Sequence, residues 1–318
     1  MREWPAVAGE REVRMIGAPR SLLAVPASNR KMVEKALASE ADAVFLDLED
    51  AVAPERKAGA RDDVARAMRE LDWGGRPTLF RVNALDTRWF YRDVVEVAEA
   101  AGDALDAVLV PKVNRPEDLH AVAILLAGIE LEKDLRPGKI ALEAQIETAE
   151  GLTNIDAVAR STGRLGALHF GPGDFAASVG MPQTSLGTAD EWDEAYPGHR
   201  FGYAMQRIVV AARAAGLGAV DGPVADHRDE EGLRAACHLA RALGFDGKWC
   251  IHPAQVPIVN EVFSPTEGEL SWAKKVVEAY ERANAAGSGA VSVDGQMVDA
   301  ASIKMARNTL DLAGPKGR

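Results

Sequence analysis

Short apolar runs rich in β-branched residues alternate along the chain with longer, Ala-rich stretches whose apolar positions recur at helical spacing. The runs at 21–25, 43–48, 78–82, 107–110, 140–146, 165–170, 218–220 and 248–251 read as strands. Those at 30–39, 58–71, 91–101, 118–132, 152–161, 201–215 and 229–243 read as helices. Strands alternating with helices imply βαβ units and a parallel sheet. Eight such units favour a closed α/β barrel of the (β/α)8, or TIM, type over an open doubly wound sheet. A barrel domain carrying the catalytic apparatus is therefore expected over residues 1–257.

Residues 258–318 follow another pattern. A helical stretch at 265–286 leads to Gly287-Ser-Gly289, then to a hairpin of 290–293 and 296–299 around Asp294-Gly295, and to a helix at 300–312. Asp-Gly between two short β runs predicts a type I′ turn. The Pro/Gly/Lys tail is expected to fray. This helix-hairpin-helix appendage has a polar hinge and buries little by itself. It is expected to be a lid or oligomerisation segment packed over a barrel mouth, its own or a neighbour's. The longest irregular stretch, 181–200, contains Trp192, Tyr196, Pro197 and Gly198. A connection of that length in a compact domain is usually functional.

Composition narrows the partners. The 318 residues carry 37 Lys and Arg against 48 Asp and Glu, a net charge of −11, so a polyanion such as DNA is repelled by the surface as a whole. An anionic small molecule fits only where Arg, Lys and backbone N–H groups reverse the sign locally. Two cysteines, Cys237 and Cys250, make neither a disulfide framework nor a structural zinc site, and both sit in apolar settings suited to buried thiols. No apolar run approaches the roughly 18 residues of a membrane span. The N-terminus is charged and lacks an apolar signal region, so export is not expected and the cytoplasm is the expected compartment.

The residues that follow the strands carry the chemistry. In order they are Pro26-Ala-Ser28, Asp47-Leu-Glu49-Asp50, Arg81-Val-Asn83, Pro111-Lys112, Glu147-Thr148, Gly171-Pro-Gly-Asp174, Asp221-Gly-Pro223 and His252-Pro253. Barrel enzymes build their sites on this carboxyl face, and turns alone would not need so many ionisable groups. Glu147 and Asp174 end adjacent strands with no Cys or His clustered beside them, which suits a hard cation such as Mg2+. A metal-free acid/base pair and two solvated loop acids are the alternatives. Arg81 is a fixed, bidentate charge suited to a carboxylate or developing oxyanion, or else to a salt bridge with Glu49 or Asp50. At least one of Glu49 and Asp50 is expected to orient Arg81 or a metal-bound water. Lys112 raises Schiff-base chemistry, but nearby acids would hold it charged, and a salt bridge or phosphate contact suits it better. His169 reads as a core histidine, and His252 either as a base or as a hydrogen-bonded barrel-end residue. The glycines of Gly171-Pro-Gly173 match no dinucleotide or P-loop fingerprint and are expected to let backbone N–H groups approach a substrate. Arg20, Arg30 and Lys31 are basic residues near the first strands that could meet phosphates, although exposed helix charges are the plainer reading.

Six motifs in order then resemble a known family. Arg20-Ser-Leu-Leu-Ala-Val-Pro26, Val44-Phe-Leu-Asp-Leu-Glu-Asp50-Ala-Val, Arg81-Val-Asn83, Gln145-Ile-Glu147-Thr148, Gly171-Pro-Gly-Asp174-Phe and Ile251-His-Pro253 resemble the citrate lyase beta-subunit/malyl-CoA lyase superfamily, related to the HpcH/HpaI aldolases. The match covers residues 18–310; Tyr196-Pro-Gly-His199-Arg and the C-terminal segment are most similar to the L-malyl-CoA/β-methylmalyl-CoA lyases. The resemblance implies Mg2+ on Glu147 and Asp174, with Mn2+ as a substitute, and Arg81 on the 2-oxoacid and its oxyanion. It further implies acyl-CoA substrates, a homotrimer or hexamer, and a catalytic acid delivered across a subunit interface. Asp299 matches that last position, which periodicity alone reads as a hairpin-end or helix N-cap acid. The chain continues Asp299-Ala-Ala where the family often has Pro two residues on, and has Pro26-Ala-Ser28 for the commoner Pro-Gly-Ser.

Overall fold

The structure is a computed structural model that describes residues 19–182, 184–193, 195–196, 199–285 and 291–313. The charged N-terminus, Pro197-Gly198, Gly287-Ser-Gly289 and the Pro/Gly/Lys tail lie outside the described residues. The chain divides into two compact units, with the break between Asn260 and Glu261.

The first unit is a closed barrel of eight parallel strands: β1 (Ser21–Pro26), β2 (Ala43–Asp47), β3 (Thr78–Arg81), β4 (Ala107–Val110), β5 (Ala141–Ile146), β6 (Leu165–Phe170), β7 (Gly218–Asp221) and β8 (Gly247–Cys250). β8 pairs with β1 and closes the ring. Alternation along each strand sends one set of side chains inward. Leu22, Ala43, Phe45, Leu79, Ala107, Leu109, Ala141, Val220 and Trp249 form that inner cluster, with Ala24 packed on it. The other set, among them Leu23, Leu46, Phe80 and Leu168, is equally buried and faces the surrounding helices. This double burial is why the strands read as continuous apolar runs. Both cysteines lie here fully buried, and burial pushes the Cys237 thiol up to about 11.

Two helical segments depart from expectation. The stretch 152–161 is not one helix but two short ones, Ala149–Thr153 and Ile155–Val158, which meet at Asn154. The Gly171-Pro-Gly-Asp174 stretch, where no element was expected, opens the helix Pro172–Val179, with Pro at the first position, where its missing N–H costs nothing.

The second unit contains the helix Glu267–Ala285, a hairpin of Val291–Val293 and Gln296–Val298, and the helix Ala300–Ala313. Asp294 and Gly295 have φ of 47° and 82°, the two left-handed residues that a type I′ turn requires. Ala273, Val276, Val293, Val298, Ile303 and Ala306 form a core of its own, flanked by Trp272, Tyr280 and Leu310. No helix among the described residues is long and apolar enough to cross a membrane.

Candidate active site

A cavity of about 370 Å3 opens at the carboxyl ends of the strands. Asp47, Asp50, Arg81, Gln145, Glu147 and Asp174 supply its polar lining, and Ala24, Leu186, Trp249 and Ile251 much of its apolar lining.

Arg81 is held first by a residue that the sequence did not single out. Asp47 and Arg81 are the last residues of β2 and β3 and stand side by side in register. Asp47 accepts from Nε at 2.8 Å and from Nη2 at 2.7 Å, a two-point fork that fixes the guanidinium plane. Asp50 adds a longer contact, 3.3 Å from Nη2. Glu49 Oε2 lies 2.9 Å from Nη1 but is not aligned for a hydrogen bond. Burial opposes the Arg81 charge, yet Asp47, Glu49 and Asp50 outweigh it and hold the guanidinium protonated. The orienting work expected of Glu49 or Asp50 thus falls mainly on Asp47.

Gln145 is a second unforeseen member. It shares a strand face with Glu147, two residues on. Its Nε2 donates to Glu147 Oε2 at 2.6 Å, and its Oε1 accepts from Arg81 Nη1 at 3.4 Å. The amide therefore ties the cation to the buried acid. Glu147 is 1% exposed, and its Oε1 accepts from the Lys112 backbone N–H at 2.8 Å. That N–H is aimed by a left-handed backbone at Lys112, φ 51°, an uncommon conformation for a residue with a side chain. The Lys112 ammonium donates to Glu49 Oε1 at 2.7 Å and lies 3.7 Å from Asp174 Oδ1. Burial works against that charge, but Glu49, Glu147 and Asp174 raise its pKa above the ordinary lysine value. An amine so held is no Schiff-base nucleophile.

Gly171 has a different purpose from the one its motif suggested. A Cβ there would stand 2.2 Å from Glu147 Oε2 and 2.6 Å from Glu147 Cβ. The missing side chain makes room for the carboxylate. Gly171→Ala is expected to lower turnover by at least tenfold while keeping the far-ultraviolet circular dichroism of the wild type. A fully active Ala variant would show that Glu147 can shift without consequence.

The acids are short of positive charge. Burial, then Glu49 and Asp174, push the Glu147 carboxyl up to about 8. A carboxyl raised in the folded state stabilises most below its unfolded value, near 4.5, and that contribution is lost as pH rises through about 8. In metal-free protein, Glu147→Gln should therefore gain melting temperature over wild type as pH rises from 5 to 8. Saturating Mg2+ should close the gap by stabilising the wild type alone. An equal difference at both pH values would contradict the crowding.

Behind the site runs a buried polar chain that periodicity could not reveal. Lys57 Nζ donates to the backbone carbonyls of Leu48 and Glu49, at 2.8 and 2.6 Å, and to Asn83 Oδ1. Asn83 in turn donates to Asp93, which pairs with Arg61 at 2.7 Å. The segment carrying Glu49 is thus anchored by its backbone. From the long connection at 181–200, Leu186 walls the cavity, and Arg200 binds Asp190 and Asp193 at 2.8 and 3.1 Å.

Other sequence candidates of the barrel unit are not brought to this cluster. Arg20 precedes β1, at the end of the barrel opposite the mouth, and grips Asp42 at 2.8 Å. Arg30 and Lys31 open the helix Arg30–Leu37, where Arg30 pairs with Glu34 and Glu70 at 3.1 and 2.9 Å. His252 Nδ1 caps the turn after β8 by accepting from Ala254 N–H, and His169 is buried in the barrel. Asp299 belongs to the second unit. Exposed, it accepts from the N–H groups of Ala301 and Ser302, both at 3.0 Å, and from the Ser302 hydroxyl. Hydrogen bonds from Ser302 and Ala301 hold its carboxyl below the usual range, as for an N-cap aspartate.

Comparison with known proteins places the chain among relatives. The HpcH/HpaI aldolase/citrate lyase family model matches residues 20–253. An L-malyl-CoA/β-methylmalyl-CoA lyase of Cereibacter sphaeroides is 42% identical over 292 residues, 88% of this chain and 90% of that protein. A (3S)-malyl-CoA thioesterase of the same species is 40% identical, over 92% of this chain and 93% of the relative. Among solved structures, the CitE protein of Mycobacterium tuberculosis in complex with magnesium, acetoacetate and coenzyme A is similar, with TM-score 0.75 and 29% identity. That likeness covers 94% of this chain and 100% of CitE. By the extent of the family match and by these identities, the chain belongs to the HpcH/HpaI aldolase/citrate lyase family.

Proposed function

We propose that the chain is a carbon–carbon lyase that reversibly cleaves a 3-hydroxyacyl-CoA such as L-malyl-CoA, to acetyl-CoA and glyoxylate, or β-methylmalyl-CoA, using Mg2+. The observation that carries this is the packing of Glu147 and Asp174 beside a forked Arg81 at one barrel mouth, in a chain 42% identical to a lyase of that name.

The residues fit the metal. Glu147 and Asp174 offer hard oxygens, and three acids face one lysine, an excess of negative charge that a divalent cation would relieve. Mg2+ commonly takes one or two protein carboxylates and fills its sphere with water and substrate oxygens. Bound here, it would supply Lewis-acid polarisation of the substrate carboxylate and hydroxyl. Mn2+, equally suited to oxygen ligands, is the expected substitute.

The chain's own groups do the rest. Asp47 holds Nε and Nη2 of Arg81, so Nη1, with its long Gln145 contact and misaligned Glu49 ion pair, is the least firmly held donor and the one to meet substrate oxygen. It stabilises negative charge as the C–C bond breaks and the thioester enolate leaves. Asp299, brought from a neighbouring subunit of a trimer or hexamer, exchanges the proton at the enolate carbon. Ionised as it stands, Asp299 is ready to remove that proton in the condensing direction; in cleavage it must be desolvated, which coverage by the second unit as a lid supplies. Residues 258–318 are read as that lid and as the oligomerisation segment. CoA phosphates are assigned to Arg30 and Lys31 ahead of Arg20, and the buried free thiols support a cytoplasmic setting.

The test is a Mg2+-dependent assay of the purified chain on malyl-, β-methylmalyl- and citramalyl-CoA. Glyoxylate and acetyl-CoA in equal amounts from malyl-CoA are expected. Free malate and CoA would instead make it a thioesterase, the reading favoured by the 40% identical relative of that name. Activity only on an acyl-carrier partner would make it a citrate lyase beta chain, and no Mg2+ binding would leave a non-catalytic barrel.

A further inference from the structure

We infer that Trp249 is the specificity-determining floor of the cavity, setting the size of 2-oxoacid accepted, and that His169 and Glu143 lock it in place. This rests on the lyase reading above.

Trp249 points inward from β8, is 3% exposed and lines the cavity. Its indole N–H donates to His169 Nδ1 at 2.9 Å, and His169 Nε2 lies 2.9 Å from Glu143 Oε2. An indole N–H can only donate, so Nδ1 must carry a lone pair. The imidazole proton therefore sits on Nε2 and points at the Glu143 carboxylate. One tautomer satisfies both ends, and the indole is fixed in its plane. His169 and Glu143 are themselves 1% and 5% exposed. Burying a carboxylate inside a barrel is unfavourable compared with an apolar filler, so such a network calls for a purpose other than stability. Its one edge on the cavity is the indole.

Two contacts give that edge a consequence. The Arg81 guanidinium carbon lies 5.4 Å from the Trp249 ring centroid, and Phe45 packs on the indole at 4.7 Å. A substrate whose carboxylate and carbonyl face Glu147, Asp174 and Arg81 must turn its remaining substituent to the apolar lining. Beside Arg81 that lining is Trp249, with small Ala24 near it. A fixed indole there leaves room for hydrogen, as in glyoxylate, and disfavours the methyl of pyruvate. Trp249 acts by shape and by supporting Arg81; His169 and Glu143 are positioning residues.

The experiment is condensation of acetyl-CoA with glyoxylate or pyruvate by the full chain with Mg2+, scored as the ratio of the two kcat/KM values. Trp249→Phe should raise the pyruvate-to-glyoxylate ratio at least about tenfold, the scale of one methyl group in a pocket. His169→Leu, which removes the indole's acceptor, should shift it the same way by less. His169→Gln, whose amide oxygen can accept the indole N–H, should restore it toward wild type. Should Trp249→Phe not fold, the two His169 variants decide. An unchanged ratio in folded, Mg2+-binding variants overturns the inference while leaving the lyase reading intact. A wild type inactive on both oxoacids overturns the lyase reading and this inference with it.

Discussion

Glu147→Gln is expected to lose Mg2+ binding and turnover together, the latter by on the order of 1,000-fold, while the protein folds normally. The magnitude follows from the several kcal/mol that Lewis-acid polarisation supplies, each ~1.4 kcal/mol being tenfold in rate. Normal folding follows from the site's own contacts. The carboxamide preserves the shape that Gly171 accommodates and still accepts from the Lys112 N–H, giving up only the hydrogen bond from Gln145 Nε2. It also removes a crowded charge between Glu49 and Asp174. Calorimetric titration with Mg2+ beside a glyoxylate-release assay checks both halves. Asp174→Ala should follow the same course, since Asp174 completes the oxygen pair. Full metal-dependent turnover in either variant would falsify the metal assignment.

Asp299→Asn is the second large effect, at least ~100-fold in turnover with CoA binding retained, the usual scale for losing a general acid or base. Asn caps helices as well as Asp, so the helix Ala300–Ala313 should keep its start and its stability. A stability loss without an activity loss would return Asp299 to a capping role alone. Mixing Asp299→Asn with Glu147→Gln subunits adds a sharper check. If the acid crosses an interface, mixed oligomers regain part of the activity that each variant lacks.

The barrel was legible because each strand is buried on both faces and stands out as an apolar run, while the helices carry their own period. Glu147 and Asp174 were legible for a related reason: each interrupts or follows such a run where a charge has no business unless it is used. What stayed hidden depends on neighbours across strands. Asp47 stood out only as one member of the Asp47-Leu-Glu49-Asp50 run, because its partnership with Arg81 requires the register between β2 and β3. Gln145 is polar within a strand, and only the fold brings it to Arg81 and Glu147. Lys57, Asp93 and Arg61 look like surface residues in a one-dimensional pattern, and burial alone joins them to Asn83 as a chain. Arg20 comes just before β1 in the chain and so lies at the amino end of that strand, away from the mouth.

The Asp47–Arg81 fork also constrains how this site can change over evolutionary time. Both partners are almost completely buried, so replacing either alone strands a charge inside the barrel, at a cost of about 3–5 kcal/mol. Even Arg81→Lys cannot restore the fork, because an ammonium lacks the planar pair of donors. Lineages can therefore leave this arrangement only by altering two strands at once. Relatives that have abandoned the arginine should have abandoned the aspartate too, and the two positions should be inherited as a single character.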